Sequence, residues 1–340
     1  MSSRLKKFLQ TGLGFLLAGL FVYLAFRGVS LNALWESLQD VNYFWVALLV
    51  PIVLVSHWLR AVRWAYLLSP VKENIPYRNL FSAVMIGFMV NNILPRVGEV
   101  TRPIAIGRSE NISKSTAFGT VVVERIIDMV TFLFVLCLML FLYPKSLDPF
   151  VNNVDAVRPF FLGGSIIFLV GFIILFFKGE SLFRLLSLLK RLVPARFESK
   201  YQGLVDSFLS GFGVVRMRNK YAMIVVLSLL IYFFYALSLY VPFYAFTALA
   251  HHNLDFGAAV VLLTISTIAF AFPAPGALGT YHTFLTVALM RLYGVDQVTA
   301  LSYSIITHET GYIITTVVGL YYFFKDHLRV SEVVDGTADN

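Results

Sequence analysis

The chain has 340 residues, of which 58% are apolar, 16% aromatic and only 14% charged. Soluble domains carry nearer a quarter charged residues, so this composition and a mean hydropathy of +0.77 exclude a water-soluble globule and a disordered chain. The net charge of +8 is spread between apolar runs, which argues against nucleic acid as a partner and for membrane topology and anionic headgroups.

In chain order, Arg4, Lys6 and Lys7 precede an apolar run over 8–26. That run exceeds the apolar core of a secretory signal and no A-x-A site follows, so it is read as the first transmembrane helix. Further apolar runs follow at 43–68, 78–94, 117–143, 158–178, 221–249, 256–272, 279–293 and 299–324. A spanning helix needs about 20 apolar residues. The runs 8–26, 43–68, 117–143, 158–178, 221–249 and 299–324 meet that length. The three short ones are bounded by Pro and Gly, the pattern of re-entrant or discontinuous helices. The expected fold is an all-α polytopic membrane protein. It has about six full spans and two re-entrant or broken Pro/Gly helix hairpins, near 78–108 and 256–293. One integral membrane domain covers 1–328, and a polar, disordered cytoplasmic tail covers 329–340. Cys137, the single cysteine, sits in the apolar run 132–141 and has no partner for a disulfide or a zinc motif.

Positive charge gives the orientation. The segment 178–220 holds nine Lys and Arg, so it is expected in the cytoplasm, with Leu182–Val193 as a basic amphipathic helix on the inner leaflet or a solvated loop helix. If both hairpins return to their own side, both termini are cytoplasmic. Only Arg27, Lys145, Arg158 and Arg291 then fall outside. The expected location is the inner (cytoplasmic) membrane.

The segments starting at Thr116 and Thr299 both open Thr-Ala and then place charge mid-helix, Glu124-Arg125 in one and His308-Glu309 in the other. Each follows a Pro/Gly break. Three full spans separate the breaks, and an odd number inverts the second unit, as in transporters built from inverted-topology repeats. Two unrelated kinks are the alternative.

The chemistry-bearing residues lie at these breaks and in the long helices after them. In the first break, Pro95 removes a backbone donor and Gly98 permits unusual backbone angles. Arg96, Glu99 and Arg102, three apart, share a helical face if the chain resumes as a helix, and Asn92 precedes them. Two arginines around one glutamate suit a phosphate; an interfacial loop obeying the positive-inside rule is the bland reading. Glu124, Arg125 and Asp128 lie within an apolar span, where each charge costs roughly 2.5–3.5 kcal/mol on insertion scales. Glu124 and Asp128 are i,i+4, and Arg125 can pair with Asp128. They form a substrate site, a structural ion-pair network, or both. His57, Arg60, Arg63 and Trp64 make a basic wall that could hold a lipid phosphate, or arginines that snorkel. In the second break, Pro273, Pro275, Gly276 and Gly279 forbid a continuous helix, and a new one is expected near Gly279 with an anion-friendly N-terminus. Glu309 is a candidate for a proton-exchanging carboxylate, beside His308. No strand or Lys-Ser/Thr accompanies the glycines, so no nucleotide loop is expected. The histidines read as scattered, so neither a metal nor a cofactor is expected.

Asn92-x-x-Pro95-x-x-Gly98-Glu99-x-x-Arg102, Glu124-Arg125-x-x-Asp128 and Pro273-x-Pro275-Gly276-x-x-Gly279 together resemble the lysylphosphatidylglycerol synthase transmembrane, or flippase-like domain, family. The resemblance runs over about 8–325. It implies a membrane domain that moves a lipid between leaflets, aminoacylated phosphatidylglycerol in the bifunctional members. The sequence departs from that pattern at Ala277, after Gly276, and at His282, where the family suggests a glutamate. A short polar segment follows residue 325, so no synthase domain is expected here.

The leading expectation is therefore a lipid translocase rather than an enzyme. Its substrate is an anionic, aminoacylated or polyprenyl-linked lipid, held by Asn92, Arg96, Glu99, Arg102, Arg60, Glu124, Arg125, Asp128, His282, His308 and Glu309. The alternatives are a membrane-embedded enzyme acting on a lipid headgroup and a non-catalytic partner of a lipid or glycan synthase. The expected partners are membrane phospholipids or a lipid-linked substrate, with a homo-oligomer or a partner synthase as further candidates.

Overall fold

The computed structural model describes residues 3–94, 96–143, 154–177, 217–272 and 274–326. The tail 329–340, most of the basic segment 179–220 with its amphipathic stretch, and the two break prolines Pro95 and Pro273 lie outside the described residues.

All regular structure among the described residues is helical: α1 (Ser3–Phe26), α2 (Leu31–Gln39), α3 (Tyr43–Ala47), α4 (Leu49–Leu68), α5 (Tyr77–Ile93), α6 (Gly98–Glu110), α7 (Lys114–Leu142), α8 (Val154–Phe177), α9 (Tyr221–Tyr240), α10 (Phe256–Phe270), α11 (Thr280–Tyr293) and α12 (Gln297–Lys325). Short 3-10 turns join several of them. The protein is an all-α polytopic membrane protein. Tyr43–Leu68, Lys114–Leu142 and Tyr221–Ala245 are long and apolar enough to cross a bilayer, and they match three of the expected spans. The first expected span is more complicated. It bends by 80° between Leu16–Phe26 and Leu31–Gln39, at Gly28, whose φ of +84° suits glycine. The apolar pattern did not reveal α2.

Helix ends follow the polar residues at the run boundaries. Asp255 and Asp296 accept from the N–H groups of Ala258 and Thr299 and so cap α10 and α12. Asn111 and Gly294 close α6 and α11 in the left-handed conformation. The first break falls between α5 and α6 and the second between α10 and α11. The order helix, break, helix, long helix thus occurs twice, with lengths of 17, 13 and 29 residues in α5–α7 and 15, 14 and 29 in α10–α12.

Helix α5 lies at the centre and packs against α4, α6 and α12. One apolar core gathers Trp64, Leu80, Met85, Ile86, Ile106 and Val121 around it. A second joins α9–α12 to the far parts of α4 and α7 through Leu140, Leu262, Leu285 and Tyr303. Small residues allow the central crossings. A Cβ on Gly98 would overlap the Gly87 carbonyl oxygen, and one on Gly87 would overlap the Arg102 side chain. One on Gly319, in α12, would lie 2.6 Å from the Met85 carbonyl oxygen. Backbones that approach this closely gain dispersion contacts that lipid tails cannot better.

Gly98→Ala is expected to lower stability in detergent by about 1–3 kcal/mol, because backbone rather than a flexible side chain must give way. Gly163→Ala, where a Cβ meets nothing within 4 Å, is expected to be neutral. Thermal unfolding of the two variants beside the wild type checks this.

Candidate functional site

Four arginines from three helices converge on two carboxylates of α7. Glu124 is fully buried, as is Arg63, while Arg60 and Arg102 are each 4% exposed. Glu124 and Asp128 stand one helical turn apart and so face the same way. Arg60 of α4 bridges them, with Nη1 at 2.5 Å from Glu124 Oε1 and 2.9 Å from Asp128 Oδ2. Arg63 lies one turn further along α4 and reaches Asp128 Oδ1 at 2.5 Å. Arg102 of α6 grips Glu124 with both nitrogens, Nη1 to Oε1 at 3.1 Å and Nη2 to Oε2 at 2.9 Å. Arg125 reaches Glu124 at 2.8 Å and Asp128 at 3.0 Å, and on its other side Glu99 at 3.5 Å.

Neutral groups complete the cluster. Arg60 Nη2 donates to the Tyr235 hydroxyl at 2.8 Å and Arg63 Nη1 to Ser228 Oγ at 2.8 Å, both on α9. The Tyr232 hydroxyl donates to the Asp128 carbonyl at 3.0 Å. The Arg102 guanidinium lies 4.3 Å over the Trp64 ring, and Trp64 donates to Thr120 Oγ1. This is a cation–π floor under a buried charge.

Donors outnumber acceptors here. Four guanidiniums face the buried Glu124 and the part-buried Asp128, with the half-buried Glu99 at the rim. The Nε atoms of Arg60, Arg63, Arg102 and Arg125, and Nδ1 of His57, have no protein partner among the described residues. Buried donors left unpaired cost about 1–3 kcal/mol each. The arrangement is therefore electron-poor and suited to an added anion.

A cavity of about 420 Å³ adjoins the cluster, within the size range of small-ligand pockets. His57, Arg60, Arg125 and Asp128 line it from α4 and α7, while His308 and Tyr312 of α12 and Gly276 of the second break line it from the opposite elements. Arg63, Arg102 and Glu124 stand behind this wall. The remaining lining mixes aromatic rings, including Phe88, Tyr235 and Phe270, with hydroxyl-bearing side chains such as Ser56, Ser266 and Thr267.

The two breaks meet at α12. Asn92, at the end of α5, donates to Thr315 Oγ1 at 3.0 Å, Thr316 Oγ1 at 2.9 Å and the Tyr312 carbonyl at 3.3 Å. The Tyr312 hydroxyl returns a bond to the Asn92 carbonyl. Gly276 has φ +55°, and a Cβ there would sit 2.8 Å from the Tyr312 ring and 3.2 Å from the Asn92 oxygen. Gly279 has φ +79° and N-caps α11, where the new helix was expected. Pro275 opens the turn before it.

The structure places the remaining sequence-predicted residues as follows. Arg96 is exposed and precedes α6 with φ +68°, so it does not share a face with Glu99 and Arg102. Gly98 was expected to supply the unusual backbone angle. Arg96 adopts it instead, and Gly98 matters for its missing side chain. Asn92 forms the latch between the breaks and also lines the cavity. The histidines are not all scattered: the His282 and His308 rings lie 4.9 Å apart, and Glu309 joins them. Arg60 and Arg63 are buried and paired rather than snorkelling. Sequence reasoning placed Arg63 in a basic wall that holds a phosphate or snorkels, without foreseeing its pairing with Asp128, and it missed Tyr235. A tyrosine in an apolar span carries no signal of its own, but two arginines one turn apart in such a span do.

Asp128→Asn is expected to destabilise the protein by roughly 3–5 kcal/mol, since it strands buried guanidiniums. Glu99→Gln at the rim is expected to cost under about 1 kcal/mol. Adding Arg63→Met to Asp128→Asn is expected to recover part of the loss. Unfolding in detergent, run as a double-mutant cycle, measures all three.

Comparison with known proteins gives a consistent relationship. The family described as the lysylphosphatidylglycerol synthase TM region matches residues 12–319. A UPF0104 membrane protein of Pyrococcus horikoshii is 22% identical over 334 residues, 93% of this chain and 96% of the relative. Matches to UPF0104 membrane proteins of Methanocaldococcus jannaschii and Methanothermobacter thermautotrophicus are local. The first is 30% identical over 118 residues, 34% of this chain and 35% of the relative. The second is 26% identical over 102 residues, 29% and 30%. No solved structure matches. The profile match covers both breaks, α7 and most of α12, so it includes every charged residue of the cluster: the chain belongs to the lysylphosphatidylglycerol synthase transmembrane family.

Proposed function

We propose that this protein is a lipid translocase that carries a phosphate-bearing headgroup between the leaflets through the cavity beside the arginine cluster. The observation that supports this best is the surplus of buried guanidinium donors on a cavity lined by Arg60 and Arg125. Arginine matches phosphate bidentately, and a phosphate oxygen can take the place of a carboxylate oxygen on a guanidinium without leaving the charge unpaired. In this reading Arg60 and Arg125 exchange Asp128 for the lipid phosphate, while Arg63, Arg102 and Glu124 hold the wall in place. The acyl chains remain in the bilayer, while the hydroxyl and aromatic groups of the lining face the rest of the headgroup.

Depth is consistent with this role. At 1.5 Å per residue, Glu124 lies about 15 Å along α7 and Glu309 about 18 Å along α12, comparable with half of a hydrocarbon core of about 30 Å. Broken helices that meet at such a depth recur in transporters with alternating access. Here the Asn92–Tyr312 latch is the contact that would open and close. The positive-inside pattern supports a reading with both termini in the cytoplasm and the inner membrane as the location. The charged groups form ion pairs rather than a nucleophile with its base, which supports transport over headgroup chemistry.

In proteoliposomes, labelled phosphatidylglycerol is expected to change leaflets faster than labelled phosphatidylcholine. Arg125→Gln, whose side chain is 38% exposed and therefore carries little of the packing, is expected to slow the anionic lipid at least tenfold while the protein still inserts. Equal rates in Arg125→Gln and wild type would overturn the assignment of the headgroup site.

A further inference from the structure

His282, His308 and Glu309 meet where α11 and α12 pass the second break, and their hydrogen bonds fix a proton count. His282 Nδ1 accepts from the Gly279 N–H at 3.3 Å, the bond that caps α11. An imidazole that accepts at Nδ1 carries its proton on Nε2, and His282 Nε2 lies 3.5 Å from Glu309 Oε1. His282 is thus satisfied as a neutral ring. His308 is bracketed differently. Its Nε2 is 2.8 Å from the Gly276 carbonyl oxygen and its Nδ1 is 3.0 Å from Glu309 Oε1. A carbonyl and a carboxylate both only accept. A neutral His308 has one proton for these two contacts, and the other would set lone pair against lone pair. The pair closes only with one more proton, either as imidazolium against carboxylate or as neutral imidazole beside a carboxylic acid.

We propose that His308 and Glu309, with His282 as a neutral donor beside them, bind one exchangeable proton and that this proton is the ion coupled to the state of the adjoining cavity. The coupling rests on the translocase reading; the proton site does not. His308 lines the cavity, while Glu309 is about one third exposed, so the pair joins the cavity to its surroundings. Losing the proton removes either the His308–Gly276 bond or the His308–Glu309 bond. The first ties α12 to the turn that forms the second break, so where that bond is the one lost, the break is released from this tie to α12.

The groups facing the pair are few. Tyr281, on α11, donates to Thr307 Oγ1 at 3.1 Å and lies 4.9 Å from the His308 ring. Tyr312, on α12, is engaged with Asn92. Among the described residues, α10 contributes the uncharged Phe270 ring, with Ser266 and Thr267 on the same cavity. Across the cavity stand Arg60, Arg125, Asp128, His57 and the tyrosines Tyr232 and Tyr235. The excess positive charge of that wall opposes protonation of His308, so an anion bound to the wall would favour it. Headgroup and proton would therefore bind together.

A metal is the rival occupant, since the ligand atoms of the three residues lie within 4.8 Å of one another. The tautomers argue for the proton. A metal on His282 Nε2 requires a proton on Nδ1, where the Gly279 N–H already points.

The test uses the full chain in nanodiscs with ¹⁵N-labelled histidine and ¹³C-labelled glutamate. At pH 7 the wild type is expected to show His308 protonated on both nitrogens, or a protonated Glu309. The signals are assigned by their loss in His308→Gln and Glu309→Gln. A singly protonated His308 beside an ionised Glu309 in the wild type overturns the site. So does one equivalent of zinc that survives dialysis and is lost in His308→Gln. The second arm measures lipid exchange in proteoliposomes with and without a pH gradient, where a several-fold change in rate is expected for the wild type. Exchange that ignores the gradient overturns the coupling. A protonated pair in vesicles that exchange no lipid overturns the translocase reading and leaves the proton site standing.

Discussion

Everything else in this structure depends on keeping four guanidiniums and two carboxylates paired within the membrane-spanning helices, with Arg63, Arg60, Arg102 and Glu124 buried. Ionised groups brought singly into hydrocarbon are costly, and pairing offsets that cost only when geometry is good and the spare donors find acceptors. Glu124 meets all four arginines, at 3.6 Å or closer. Moving α4, α6 or α7 by one residue would strand several charges at once. The ion pairs therefore fix the register of these helices, a role that apolar packing against lipid-like neighbours fills poorly.

The close helix crossings serve the same constraint. Arg102 reaches Glu124 only because α6 lies almost on α5, and it does so because both residues at the crossing, Gly87 and Gly98, lack side chains. Trp64 then closes the site from below, with its ring under Arg102 and its N–H on Thr120. On the other side of the cavity, α12 holds the two breaks together through Asn92, Tyr312 and the His308–Gly276 contact. One pole is built from arginines and carboxylates on α4, α6 and α7. The other is built from histidines and a carboxylate on α11 and α12. The cavity thus lies between a wall rich in arginines and one that presents His308 and Tyr312.

The recurrence of helix, break, helix and 29-residue helix puts the two poles at related places: Glu124 and Glu309 occupy similar positions in α7 and α12. Their surroundings have diverged. Glu124 is fully enclosed by arginines, while Glu309 is partly open and paired with histidines. Two equivalent scaffolds with different partners can take different roles within one cavity.

The sequence by itself determined the membrane environment, the helical class, the two breaks and which helices carry intramembrane charges. Those follow from local composition: an apolar run of given length, a Pro/Gly interruption, a carboxylate pair at i,i+4. The three longest apolar spans were legible for that reason, and so were Glu124, Arg125 and Asp128. Only the tertiary structure decided which charges meet. The arginine pair of α4 marks that helix, but whether Arg60 and Arg63 snorkel or pair is decided by partners more than sixty residues away on α7. Arg96 looked equivalent to Arg102 by spacing, yet α6 begins after it, and it is left exposed. His282 and His308 looked isolated because 26 residues separate them in the chain, and the turn of the second break brings their rings together. Local sequence fixes what each helix is, because propensity and hydropathy act over a few residues. The site is a property of contacts between helices, and those are set by the requirement that every buried charge find its partner.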